Sequence, residues 1–170
     1  MANKYIALIA GKLKEIEGLV TSAGAGDAGK IPALDSTGRL DSSVLPAGTG
    51  GETLTITASE NLTAGEFVNV WLDSGNARVR KADASNTGKE AHGFVLANVT
   101  SGNSATVYYG NINNQRSGLT IGSTYYLSGG TAGSITTTPP STSGHLVQRI
   151  GVAYSATEIL VELGQTIELA

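Results

Sequence analysis

The first 46 residues carry almost nothing from which one chain could build a core, and this limits what the protein can be. Apolar side chains are present there, but they are spaced along a stripe and a tract rather than gathered. A chain that starts this way borrows its core from other copies of itself. From Asn3 to Val20, Ile6, Ile9, Leu13, Ile16 and Val20 recur at spacings of three and four. That spacing predicts a helix with a heptad seam, Ile6, Leu13 and Val20 at a and Ile9 and Ile16 at d. β-branched residues at a and d favour trimers or higher orders over dimers. Gly11 and Gly18 would fall at f, away from the seam. Five buried aliphatics offer roughly 1.5–3 kcal/mol each, whereas ordering about 18 residues costs roughly 1–2 kcal/mol apiece. The expected helix is therefore a clasp that works only when the copies are already tethered by a main interface downstream.

A Gly/Ala-rich break, residues 22–30, follows. Next come Lys-Ile-Pro-Ala-Leu-Asp and Arg-Leu-Asp-Ser-Ser-Val-Leu-Pro on either side of a turn at Ser36-Thr37-Gly38. Pro32 and Pro46 bias Ile31 and Leu45 to extended backbone. Ile31, Leu34, Leu40, Val44 and Leu45 are too few to form a core in one chain but could line a threefold axis. The expected organisation is a helix over 1–21, an extended linker over 22–51 and a head over 52–170.

The head reads as β structure. Apolar residues switch to period two from Glu52 onward. The spacing predicts about ten strands: 53–58, 67–72, 77–82, 92–99, 106–112, 124–128, 133–138, 146–154, 159–163 and 166–169. Glycine-rich turns at 73–76, 101–103, 128–130 and 142–144 separate them. Val68, Val70 and Leu72 would share one face, and Val79 would point inward with Arg78 and Arg80 in solvent. Many short strands with such turns imply an antiparallel sandwich or barrel. The fold class expected for the whole chain is mainly β, with a short trimeric coiled-coil helix and a linker ahead of a β-sandwich or barrel head.

Chemistry is sparse. His92 and His145 are the only histidines and cysteine is absent, so no donor set for zinc assembles in one chain. No carboxylate pair, nucleophile elbow, P-loop or dinucleotide fingerprint stands out. No catalytic residue, metal or cofactor is expected. The net charge of −3 and the absence of a Lys/Arg cluster beyond Arg78, Arg80 and Lys81 point away from nucleic acid. No apolar run approaches the roughly 20 residues of a membrane span. Tyr108-Tyr109 and Tyr125-Tyr126 are adjacent pairs in strands, so each shows one ring to each face. With Trp71 they are the candidate contacts for a partner or a sugar.

The tract DAGKIPALDSTGRLDSSVLP resembles a motif of tailed-phage fibre and head-fibre proteins, where such a run links a helical or fibrous part to a β head. Residues 117–163 are similar to the C-terminal β domain of phage virion proteins, including capsid decoration proteins and some fibres. The resemblance implies a homotrimer on the outer capsid surface, made in the host cytoplasm, that bridges and stabilises the major capsid protein without catalysis. The alternative it leaves open is a receptor-binding tail-fibre tip that takes a host surface glycan.

Overall fold

In a computed structural model of the 170-residue chain, residues 4–36, 38–45 and 52–170 are described. Asn3, Thr37 and Pro46, on which parts of the expected helix, turn and linker rest, lie outside them. The chain divides into two compact units, residues 1–50 and 51–170.

The first unit overturns the expected coiled-coil helix. Lys4–Ile9 (β1) and Lys12–Glu17 (β2) form a two-stranded antiparallel hairpin. The turn is Ala10-Gly11, with φ of 50° and 75°, the left-handed pair that a two-residue hairpin turn requires. Pairing puts Tyr5 opposite Ile16, Ala7 opposite Lys14 and Leu8 opposite Leu13. The heptad seam is thereby split: Ile6 and Leu13 lie on one face, Ile9 and Ile16 on the other. Two apolar patterns interrupted by the Ala-Gly turn had mimicked one helical stripe.

The tract behind the hairpin is less extended than the sequence suggests. It contains two 3₁₀ turns, Ala25–Asp27 and Ser42–Val44. Leu19 bonds to the Ile31 carbonyl and to the Ala33 amide across a short parallel bridge. Asp27 accepts from the Ala23 amide (2.7 Å) and from Lys30 (2.6 Å). Asp35 and Arg39 close a turn through their backbones, and Ser43 Oγ accepts from the Ser22 amide.

The strand ladders of the second unit are antiparallel. Glu52–Thr57 (β3), Phe67–Asp73 (β4), Asn76–Lys81 (β5), Gly93–Val95 (β6) and Ser104–Tyr109 (β7) form a sheet in the order β3-β7-β6-β4-β5. This sheet curls until its outer strands meet: Ala58, just past β3, bridges Val79 of β5, and the Ser59 amide donates to the Val79 carbonyl. The result is a small, partly open barrel. Its interior holds Ile56, Ala58, Leu62, Val68, Val79, Val95, Ala105 and Val107.

A second sheet consists of Asn111–Asn113 (β8), Thr124–Leu127 (β9), Ile135–Thr136 (β10), Leu146–Ala153 (β11), Ile159–Val161 (β12) and Thr166–Glu168 (β13). Its order is β10-β9-β11-β12-β8, with β13 also paired to β11. Phe67 and Phe94 point out of the barrel and pack with Leu127, Ile150, Ile159 and Val161 in a second core. The alternation of barrel strands thus serves two cores at once, Val68 inward and Phe67 outward.

Two departures from the expected strands have local causes. The run 106–112 is broken at Gly110 and Asn111, whose φ values are 71° and 86°, and Asn111 onward joins the second sheet. In β11 the burial alternation changes phase at Ile150-Gly151, both buried. A β-bulge there keeps Arg149 and Val152 on the same outer face.

Candidate assembly surfaces

No described apolar residue of the first unit is buried. Ile6, Leu8 and Leu13 share one face of the hairpin and are 64%, 70% and 76% exposed. Ile9 is exposed on the opposite face, where Tyr5, Ala7 and Ile16 are half-buried. Of the other residues expected to line a threefold axis, Val20, Ile31, Leu34, Leu40 and Leu45 are exposed and Val44 is half-buried. Leu8 belongs to the same set. The helical stripe excluded it, whereas the i, i+2 relation to Ile6 within a strand includes it.

The head carries its own apolar row. On the outer face of the second sheet Ile112, Leu160 and Val152 stand directly opposite one another across β8, β12 and β11. Leu160 is exposed and Ile112 borders on it, while Ile159 and Val161 beside Leu160 are buried in the core. Ile167, also exposed, pairs with Val147 on the same sheet.

The aromatic candidates divide. Tyr125 is core, and its hydroxyl accepts from the Thr120 amide at 2.9 Å. Tyr126 is half-buried and faces Arg149 across the ladder. Tyr108 stacks on Phe94 with ring centroids 5.7 Å apart and borders a groove with Leu96, Asn98 and Thr106. Tyr109 packs against the barrel core, and burial pushes its hydroxyl pKa up. Trp71 is half-buried. Its indole N–H donates to Ser59 Oγ (3.2 Å), and the Arg80 guanidinium sits 4.5 Å from its ring.

Arg80 is therefore not the solvated strand residue the alternation suggested. Its Nε donates to Asn69 Oδ1 (3.0 Å) and its Nη2 to the Gly88 carbonyl (2.8 Å). Leu72 keeps the expected face but lies 71% exposed at the end of β4.

Both histidines have structural company. His92 Nδ1 accepts from the Val70 amide at 3.0 Å, and its Nε2 lies 3.5 Å from Glu90. The His145 ring lies against Gly129, where a Cβ would meet it at 2.7 Å. Arg116 donates through Nη1 to the Gly65 carbonyl, and its Nε is buried without a partner. Desolvation pulls the Arg116 pKa down, opposed by the charges of Glu66 and Tyr125.

Among the described residues no three His, Cys, Asp or Glu side chains converge on a metal-sized site, and no helix is long and apolar enough to cross a membrane. No protein-family model and no curated protein matches the chain.

Proposed function

We propose that the chain is a non-catalytic structural protein of a bacteriophage virion, a homotrimeric decoration or head-fibre protein that sits on the outer capsid surface and stabilises the major capsid lattice. The observation that carries this reading is the first unit, a folded segment with no buried apolar residue among those described. An isolated two-stranded hairpin is at best marginally stable in water. Covering Ile6, Leu8 and Leu13 against other copies contributes roughly 4–9 kcal/mol per chain, at 1.5–3 kcal/mol for each aliphatic. The resemblance of residues 27–46 to phage head-fibre sequences supports the same assignment.

The mechanism requires no reacting group. Three identical weak contacts with the capsid, engaged together, give an avidity that one contact lacks. Binding to the assembled lattice alone then raises its stability by mass action. The apolar row Ile112–Leu160–Val152 is the head's candidate for contact with a neighbouring copy or with the capsid.

A second reading, a receptor-binding fibre tip, draws on the groove beside Tyr108, where Asn98, Ser104 and Thr106 supply polar groups. Copy number in purified particles separates the two. Stoichiometry in proportion to the capsid lattice is expected; a few copies confined to the tail would overturn the decoration reading.

A further inference from the structure

We propose that the hairpins of three copies join edge to edge, the β1 edge of each pairing antiparallel with the β2 edge of the next, and close into one ring of strands around the threefold axis. The inference rests on the trimer reading above.

Among the described residues the hairpin pairs with no third strand, so both of its edges are open there. Neither edge carries a proline, and β1 has no charge after Lys4, so the β1 edge lacks the usual guards against edge pairing; the charges of β2, Lys12, Lys14, Glu15 and Glu17, include the partners that Lys4 would meet. The two-residue turn makes Ile9 and Lys12 the first hydrogen-bonded pair. Alternation then points the backbone groups of Lys4, Ile6 and Leu8 outward on β1. On β2 it points those of Leu13, Glu15 and Glu17 outward.

The outward residues of β1 are already opposite the outward residues of β2 within the chain: Lys4 with Glu17, Ile6 with Glu15, Leu8 with Leu13. The register that pairs the strands in one copy can therefore pair them between copies, with side chains on matching faces. The partner chemistry is tested in cis, where Lys4 Nζ forms an ion pair with Glu15. Leu8 and Leu13 stand apolar against apolar. The same complementarity makes the contact head-to-tail, and such a contact must either close or grow into a fibre. Closure at three brings the Ile6, Leu8 and Leu13 faces of all copies around one axis. Lys12 and Lys14, on the opposite face near its turn end, are exposed and stay outside the ring.

The absence of cysteine allows a direct test in the full-length protein. Leu8→Cys and Leu13→Cys chains are co-expressed, oxidised and compared with each variant alone. A hydrogen-bonded antiparallel pair has Cα atoms about 5.5 Å apart, within disulfide reach. Disulfide-linked pairs are expected in the mixed trimers and only at background in either variant alone. Adding Glu15→Pro to both chains removes an outward N–H needed only between copies, and should abolish the link while leaving the hairpin itself paired. A trimer without the mixed link, a link that forms with Leu8→Cys alone, or one that survives Glu15→Pro would overturn the ring and leave the trimer standing. A monomeric mass would instead overturn the trimer reading, and the ring with it.

Discussion

Replacing Gly11 with alanine separates hairpin from helix by sign. Gly11 has a φ of 75°, and an added Cβ would meet nothing within 4 Å. The cost is therefore the backbone's alone, about 1–2 kcal/mol for an L-residue held in the left-handed region. In a helix the same change would be favourable by about 0.8–1 kcal/mol. The two structures thus differ by about 2–3 kcal/mol in their response to one methyl group. Amide hydrogen exchange across β1 and β2 reads the difference. Gly11→Ala should reduce protection of the Ala7, Lys14 and Ile16 amides by roughly 5–30-fold, since 1.4 kcal/mol is tenfold. The companion change Ala10→Asn, which creates the favoured Asn-Gly turn, should raise protection. Asparagine is a poorer helix former than alanine, so a helix would respond in the opposite direction to both variants. Increased protection in Gly11→Ala, or a gain of helical circular dichroism, would refute the hairpin.

Other expectations concern the head and the tract. Gln148 is buried, its Oε1 accepting from the Ala91 amide (2.7 Å) and its Nε2 donating to the Ala91 carbonyl (2.9 Å). Gln148→Leu leaves both backbone groups unpaired and should cost about 2–5 kcal/mol, seen as a lower melting temperature of the head. At Gly151 a Cβ would overlap the Leu160 carbonyl oxygen of the paired strand, so Gly151→Ala should destabilise by about 1–3 kcal/mol in chemical denaturation. In the tract, the hydrogen bond from Lys30 and the backbone bond from Ala23 hold the Asp27 carboxyl below its ordinary pKa. Its contribution is fully present above the ordinary value and is lost as pH falls through the lowered one. The Ala23 amide resonance should report that loss in an acid titration, while Asp27→Asn should remove the pH response.

Much of the head was legible because its strands alternate. The expected strand 67–72 is observed as Phe67–Asp73, 77–82 as Asn76–Lys81, and 146–154 as Leu146–Ala153. Turn chemistry also carried over: Ser74-Gly75 makes the same left-handed pair between β4 and β5 that Ala10-Gly11 makes between β1 and β2. The closing of the barrel through Ala58 and Val79 was not legible, since no local pattern encodes which strand ends meet. The hairpin failed for a clearer reason. Tyr5 to Ile9 is a continuous apolar run, and Leu13 and Ile16 fall on opposite strand faces, so neither strand alternates. Spacings of three and four then survive across the turn by coincidence. Ala-Gly is a weak hairpin signal beside Asn-Gly, yet Gly11 and Gly18 were already poor residues for a helix. For the candidate surfaces, the sequence picked out the exposed aliphatics of the tract. It missed Leu8 and the Ile112–Leu160 row, whose meaning depends on strand pairing.

The mass of the full-length protein in solution tests self-association most directly. Static light scattering at micromolar concentration should give three times the chain mass of 17.3 kDa. A single species at the mass of one chain would contradict it.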